Sequence, residues 1–377
     1  MRMKKFPSLL VPLLFLAGFI APVAHAQVPD TEVFERARVT AVTDEGTAPV
    51  PGTNASDKVQ TLTAIVLSGP DKGARPTFEN DFTQLTVGEE FYIRHATSQE
   101  DGTDVWTMSD PYRLNVLIAL GIAFLALLFI FGGFQGMRGL ISLLGSLVLI
   151  FYVLIPSIYA GHSAVLVSIG ISSLIVIAGS YITHGVNRTT TAAMLGMVGT
   201  VAVTSAATFA VIHFGHFSGF TSETNAYLNI DTNGRISMIG LLFGGIVIGL
   251  LGVLYDIAIG QAIAVEELYM AGQYTARQTF SRAMRIGREH IGALVNTLAI
   301  AYVGTALPLL LLFKESTDSI AYVLNGEIFA TEVVRILMGS IGLVLAVPIT
   351  TLLATYLLQG VRERRGAASP SHSHSHG

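Results

Sequence analysis

The sequence predicts a polytopic α-helical membrane protein with seven transmembrane helices and a small N-terminal extracytoplasmic all-β, barrel-like domain. Of the 377 residues, 51% are apolar and only 13% are charged, and the mean hydropathy is +0.59. Soluble domains carry about 25% charged residues. After Arg113 the chain also shows a series of apolar stretches, each close to the ~20 residues with which a helix crosses a bilayer.

Residues 1–26 have the features of a signal peptide. The positive N-terminal region comprises Arg2, Lys4 and Lys5. The short apolar stretch Leu9–Ile20 follows it, and Ala24-His25-Ala26 is a small-x-small cleavage site. An uncleaved first helix is the alternative interpretation. In both cases the next segment begins outside the cytoplasm.

Residues 27–112 are polar enough to form a soluble β-rich domain. Four segments are rich in Val, Thr, Ile and aromatic residues and are bounded by turn residues, a pattern typical of strands. These segments are Arg36–Thr43, Val59–Ser68, Glu90–Ala96 and Asp104–Met108. Ser68–Gly73 is a strong turn signal, and we expect the loop Ala48–Lys58 to be mobile. A small barrel or sandwich would close the sheet edges.

Residues 113–366 form the predicted transmembrane domain. Its seven apolar stretches are 114–133, 139–160, 162–184, 191–213, 237–256, 291–313 and 335–358. Basic residues in short loops favour the cytoplasmic side. With the N-terminus outside, nine basic residues fall inside: Arg138, Arg188, Arg277, Arg282, Arg285, Arg288, Arg362, Arg364 and Arg365. Three fall in the outer loops after residue 134: Arg235, Lys314 and Arg335. We therefore predict a membrane protein with its N-terminal domain outside and its C-terminus in the cytoplasm.

The predicted cytoplasmic loop 257–290 has helical character. Thr275 and Gln278 match a capping box. Its arginines share one helical face, and its apolar residues Phe280 and Met284 share another. This pattern is typical of a basic amphipathic helix on the inner membrane surface. Ordinary positive-inside charge is an equally good interpretation.

The fifth predicted span is rich in glycine. The glycines are Gly240, Gly244, Gly245, Gly249 and Gly252. Such spacings let two helix backbones approach closely in lipid, which favours packing within the chain, in a homo-oligomer or with a membrane partner. The alternative is a helix that slides or bends, with Gly245 and Gly249 as hinges.

Asp256 ends this span, and an ionisable group there is a functional candidate. The alternative interpretation is that the Asp256 carboxylate simply reaches water, because it lies near the inner boundary of the span. The apolar run Ile257–Val265 is too short to span and suggests a re-entrant or interfacial segment. Glu266 and Glu267 follow it.

The sixth and seventh spans carry polar residues and prolines. Asn296, Thr297 and Tyr302 lie in the sixth span, and we expect them to line a solute or ion pathway with Asp256. The candidate residues at its inner mouth are Glu266, Glu267, Arg288, Glu289 and His290. Pro308 and Pro348 are candidate hinges, as in the interrupted helices of transporters. Ordinary bundles also tolerate such prolines.

Several classes of function are disfavoured. The chain has no cysteine, and its net charge of −4 argues against a nucleic-acid partner. It has no Walker phosphate loop, no His-Glu-x-x-His and no Gly-x-Ser-x-Gly, so we expect neither an enzyme nor a cofactor. His213 and His216 could share a metal ion, but no acidic residue or third His follows in register, so solvated interface histidines are the preferred interpretation. The tail 367–377 contains His372, His374 and His376, a composition that binds transition metals loosely.

Two long motifs carry a family resemblance. They are the segments 249–268, with Tyr255-Asp256 at its centre, and 287–308. Both resemble the bacterial YibE/F family of integral membrane proteins, and the resemblance extends from about Ala37 to Leu358. It implies a multi-pass protein of the bacterial plasma (inner) membrane, and no catalytic residues can be carried over from it. From the residues we predict a permease or transporter component, with a scaffold or sensor whose outer β-domain binds a partner as the alternative.

Overall fold

The computed structural model describes residues 31–49, 56–97, 103–272 and 274–366. The chain divides into two compact units, Met1–Ile130 and Phe131–Gly377. The predicted signal peptide 1–26 and the histidine tail 367–377 lie outside the described residues.

The first unit contains an antiparallel sheet that curls into a half-barrel. Its strands are β1 Thr31–Pro49, β2 Ser56–Val66, β3 Thr77–Asn80, β4 Glu90–Thr97 and β5 Asp104–Pro111. Their order across the sheet is β3-β2-β1-β4-β5. Along β2 every second residue from Gln60 to Val66 is buried, as the two-residue period of a strand requires. Of these residues, Leu62, Ala64 and Val66 pack with Phe91 and Ile93 of β4 to form the core.

The predicted strands are confirmed, with two differences. The short strand β3 was not predicted, because four residues carry too little of the alternating pattern to be recognised. The expectation of a loop over Ala48–Lys58 was wrong at both ends. Ala48 pairs with Asp57 and Pro49 pairs with Ser56, so the hairpin extends to the edge of the described residues.

The rest of the described chain is helical. The helices are α1 Leu114–Leu149, α2 Ile155–Tyr159, α3 Ala164–His184, α4 Arg188–Phe214, α5 Glu223–Asp231, α6 Met238–Ala271, α7 Ala276–Thr305, α8 Leu307–Glu315, α9 Ile320–Asn325 and α10 Glu327–Gly366. A π-helical turn, Ile150–Leu154, joins α1 to α2. Side-chain caps define several starts, because a Ser, Thr or Asn oxygen accepts a bond from a free N–H of the first turn. The capping residues include Ser163, Asn187, Ser222, Ser237 and Thr275.

Within the described residues, five helical segments are long and apolar enough to cross a membrane. They are Leu114–Tyr159, Ala164–His184, Arg188–Phe214, Met238–Ala271 and Glu327–Gln359. A sixth is added if α7 and α8, which are bent by 66°, form one span. The difference from the seven predicted spans lies in the 46 residues of Leu114–Tyr159, in which Gly133 has non-helical angles of φ 51° and ψ −143°.

The segment 257–290, predicted as a cytoplasmic loop with helical character, is helical up to Ala271 and again from Ala276. The suggestion that Ile257–Val265 is a re-entrant segment was wrong, because α6 continues through it without a break. Its interfacial position stays a prediction. Ile257, Ala258 and Val265 are buried in the helical core, and this packing stabilises the extended helix. The capping box at Thr275 and Gln278 is confirmed.

The core of the second unit lies where α10 packs against α4, α6 and α7, and where α3 packs against α4 and α6. Phe243, Ile246 and Leu254 of α6 are almost completely buried there. Helix α6 is therefore the central element of this unit.

Candidate functional site

A cavity of about 620 Å³ lies between the segment that follows Gly133, helix α3 and helix α6. Its volume is within the range typical of ligand pockets, roughly 300–1,000 Å³. The polar lining residues are Ser142, Ser146, Thr183, His184, Tyr255 and Asp256. The other lining residues are apolar or glycine and include Leu143, Leu147, Ile150, Ile175, Ile248 and Ile259.

The small residues of α6 and α3 allow these two helices to pack closely beside the cavity. A Cβ on Gly240 would lie 2.8 Å from the Ala164 side chain, and one on Gly244 would lie 2.5 Å from Ser168 Oγ. These contacts also fix the register, because the residue numbers rise together along both helices. Part of the glycine pattern therefore serves packing within the chain.

Tyr255 joins the two helices at the wall of the cavity. Its hydroxyl donates to the carbonyl oxygens of Ile175, at 3.1 Å, and Val176, at 3.0 Å. The hydroxyl lies against Gly179, where a Cβ would also come within 2.7 Å of Ser142 Oγ. Gly179 therefore leaves the space that the tyrosine occupies.

Asp256 lies at the cavity wall next to Tyr255. It is exposed, and it forms no hydrogen bond or ion pair with any residue in the part of the chain that the structure describes. The predicted candidate thus faces a cavity with its carboxylate free. A free carboxylate near an apolar wall is suited to bind a cation or to carry a proton.

Three glycines leave the cavity wall open. A Cβ built on Gly139, Gly252 or Gly260 would have no heavy atom within 4 Å. All three residues line the cavity. A larger side chain at these positions would therefore fill empty space and not displace a neighbour.

The polar residues of the sixth predicted span do not line this cavity. Asn296 and Thr297 are exposed on α7, where the Thr297 hydroxyl donates to Ala293 O at 3.0 Å. Tyr302 is half-buried, and a Cβ on Gly249 would lie 2.8 Å from its hydroxyl. Asp256 therefore lines the cavity between α6, α3 and the segment after Gly133, whereas Tyr302 of α7 lies close to Gly249 of α6.

The candidates for the inner mouth also lie outside the cavity. Glu267, Arg288, Glu289 and His290 are exposed, and Glu266 is half-buried. The arginines of α7 lie on its exposed side, whereas Thr279, Ala283 and Gly287 are buried.

The predicted hinges differ from one another in their surroundings. Pro308 lies in the first turn of α8, directly after the 66° bend. Pro348 lies within α10, which continues as one helix. A Cβ on Gly245 would have open space around it. Of these residues, only Pro308 adjoins a bend.

Sequence reasoning missed a polar junction at Gln261, which is 1% exposed. In the amide orientation that pairs every atom, its nitrogen donates to Thr351 Oγ1 at 2.9 Å and to Ala283 O at 3.3 Å. Its oxygen accepts from Gly287 N at 3.3 Å. The side chain therefore joins α6, α7 and α10. An amide inside an apolar run was the available signal, since buried amides require partners.

A second group of titratable residues lies in the half-barrel. His95 Nδ1 is 2.6 Å from Asp71 Oδ2, and His95 Nε2 is 3.2 Å from Asp104 Oδ1. The ring stacks on Trp106, with centroids 3.8 Å apart and planes inclined by 4°. Burial alone would lower the pKa of His95, but the hydrogen bonds and charges of Asp71 and Asp104 outweigh it and raise the pKa above 6.5. Hydrogen bonds from Thr97 and His95 lower the pKa of Asp104.

Metal ligation receives no support from the described residues, among which no group of three His, Cys, Asp or Glu side chains could hold an ion. His213 and His216 line a smaller pocket of about 320 Å³ with Phe209 and Phe217. The tail residues His372, His374 and His376 lie outside the described part of the chain.

Comparison with known proteins identifies one family. A sequence model described as YibE/F-like protein matches residues 120–360. The match covers the helical region and does not include the half-barrel, over which the resemblance was also expected to extend. Neither the curated proteins nor the solved structures contain a match to the chain.

Proposed function

The chain belongs to the YibE/F-like family, and from that premise we propose that it is a permease or transporter component for an ion or small solute in a bacterial plasma membrane. The observation that carries the proposal is the cavity of about 620 Å³ with the free carboxylate of Asp256 in its wall. The apolar helices around it are consistent with a membrane protein. Transport is favoured over catalysis because the cavity has a free acid but no nucleophile paired with a base.

The proposed topology has seven spans. The count treats the two sides of Gly133 as separate spans and the bent pair α7–α8 as one. A helix of 46 residues would be about 69 Å long, more than twice the ~30 Å of a bilayer core. The distribution of basic residues supports an N-terminal domain outside and a C-terminus in the cytoplasm.

The proposed pathway centres on Asp256. It is formed by the second, third and fifth spans, whereas the sequence placed it in the fifth to seventh. Asp256 would attract a cation or relay a proton within the low dielectric of the membrane. Asn296, Thr297 and Tyr302 remain candidates for a second face of the pathway, along α7. The candidates for its inner mouth remain Glu266, Glu267, Arg288, Glu289 and His290.

The test is flux of ions and metals into proteoliposomes, with and without a pH gradient. Wild type would be compared with Asp256→Asn and with the matched control Asp318→Asn, an exposed acid outside the cavity. We expect flux in wild type and in the control, and a loss of about tenfold or more in Asp256→Asn. Equal flux in all three proteins would remove Asp256 from the pathway. No flux of any ion would reject ion transport.

The alternative is a non-transporting scaffold or sensor whose half-barrel binds a partner. The half-barrel has its own buried core, which supports an independent role. Stoichiometric capture of a partner by the full-length protein, lost when residues 27–112 are deleted, would favour this function.

A further inference from the structure

The cavity beside Asp256 is polar at one end and apolar at the other. Gln135 Nε2 donates to Thr183 O at 3.0 Å, so the beginning of the segment after Gly133 lies level with the end of α3. Gly139, Thr183 and His184 therefore line the same end of the cavity.

The cavity-lining residues of α6 also change from apolar to polar along the helix. It runs parallel to α3, because Gly240 meets Ala164 and Gly244 meets Ser168. Asp256 and Gly260 accordingly lie toward the polar end, and Ile248 lies toward the apolar end. From residue 248 to residue 260 the helix rises by about 18 Å.

The charge at the polar end favours a cation. Asp256 is the acid in the cavity lining and has no partner among the described residues. The C-terminal carbonyl groups of α3 add partial negative charge at the same end. Arg138 precedes Gly139 and acts electrostatically on His184 at the same end, but it is exposed and does not itself line the cavity.

The apolar end has the character of a site for a hydrocarbon chain. Leu147, Ile150, Ile175 and Ile248 form most of its walls, with no charged side chain among the lining residues there. Ser146 also lines the cavity next to Leu147, and its hydroxyl donates to Ser142 O at 2.9 Å. Such walls are as apolar as lipid tails, so a hydrocarbon chain can leave the bilayer and lie against them without penalty. A polar head and an apolar tail thus have separate places in one cavity.

We propose that this cavity binds an amphiphile with a protonated amine head at Asp256 and a single apolar chain along Leu147, Ile150 and Ile248. The inference rests on the proposed permease function, since it names the class of solute that the same cavity takes. A zwitterionic lipid head that carries a primary amine and a simple alkylamine share this chemistry, and the protonated amine is the feature that the site recognises.

The test is photolabelling of the full-length protein in nanodiscs with a diazirine-bearing dodecylamine. Labelled peptides would be mapped by mass spectrometry, with dodecylamine, dodecanol and dodecanoic acid as competitors. We expect saturable labelling within residues 139–150 and 248–260, with the amine competing about tenfold better than the alcohol or the acid.

Two variants test the two ends of the cavity separately. Asp256→Asn should weaken competition by the amine about tenfold and leave competition by the alcohol unchanged. Gly252→Leu should abolish labelling by filling the open space at the cavity wall. Gly170→Leu is the matched control, because a Cβ there also meets nothing within 4 Å and the residue does not line the cavity.

The outcomes separate this inference from the proposed function. Labelling that does not saturate, or that Gly252→Leu leaves unchanged, would overturn the inference and identify ordinary contact with lipid. Equal competition by amine, alcohol and acid would overturn the amine specificity. Saturable labelling without any ion flux in proteoliposomes would support the inference and reject ion transport, whereas ion flux without labelling would support ion transport and overturn the amphiphile.

Discussion

His95 and Asp71 are joined by a contact of 2.6 Å between Nδ1 and Oδ2, which connects strand β4 to the turn after β2. Asp104 lies 3.2 Å from the other ring nitrogen. With a carboxylate at each nitrogen, the imidazolium form is stabilised in the folded half-barrel. Glu35, which is 1% exposed, accepts a hydrogen bond from the Asp71 backbone N–H at 3.0 Å and supports the same turn.

This contact predicts a pH dependence for the half-barrel. Because the folded pKa of His95 is raised, its contribution to stability is complete below about pH 6.5 and is lost as the pH rises through the folded pKa. Trp106 is the single tryptophan of the chain and stacks on His95, so its fluorescence reports the titration. We expect a midpoint above 6.5, a lower midpoint in Asp104→Asn, and no transition in His95→Gln. A midpoint that Asp104→Asn leaves unchanged would contradict the assignment.

The packing of α4 against α10 predicts opposite effects at two glycines. A Cβ at Gly196 would lie 2.8 Å from Thr350 Cβ and 2.9 Å from Thr350 Cα, whereas one at Gly199 would lie 3.6 Å from Ile349. Gly196→Ala should lower the free energy of unfolding by about 1–3 kcal/mol, because the α10 backbone must move. Gly199→Ala should be neutral or stabilise the helix by up to about 1 kcal/mol. Thermal unfolding in detergent measures both, and equal effects would refute the close approach at Gly196.

The contact between Glu327 and the 218–219 segment predicts a localised loosening. The Glu327 carboxylate accepts from Ser218 N at 2.8 Å, Gly219 N at 2.6 Å and Ser218 Oγ at 2.7 Å. Hydrogen bonds to a charged group contribute about 1.5–3 kcal/mol each when shielded, and less at an exposed site. Glu327→Ala should therefore speed amide exchange at 218–219 by about tenfold or more. The exposed Glu315→Ala is the control, and similar exchange in both variants would contradict the prediction.

The capping box at the start of α7 predicts a local effect of Thr275→Ala. The Thr275 hydroxyl accepts from Gln278 N, and the Gln278 side chain accepts from Thr275 N at 2.9 Å. Removing an N-cap costs about 0.5–2 kcal/mol. We expect faster amide exchange over 276–280 in Thr275→Ala and wild-type exchange in Thr275→Ser. Unchanged exchange in the alanine variant would show that tertiary packing alone holds this turn.

The local patterns of the sequence predicted much of the fold. The alternation in β2 and the box at Thr275 depend on residues close in sequence, and both were found. The extent of α6 beyond Asp256 was not predicted, because the packing that stabilises it comes from other helices. Hydropathy measures the preference for lipid and contains no information about which helix contacts which.

The same reasoning explains the outcome at the candidate site. Asp256 was recognised as an ionisable group near a span, and the structure places it in a cavity wall. Its neighbours were not foreseen, since Ser142 and Thr183 come from segments more than 70 residues away in the printed sequence. The contact of Glu327 with Ser218 spans 109 residues and has no local signature either.

Helix α6 continues without interruption from Met238 through Asp256 to Ala271. The turn at 272 is about 24 Å along the axis from Asp256, since each residue adds about 1.5 Å. An unbroken helix behaves as a rigid rod over this length, so a small tilt or rotation at the cavity displaces the distant turn in proportion. A tilt of α6 at Asp256 would therefore also displace the connection between α6 and α7.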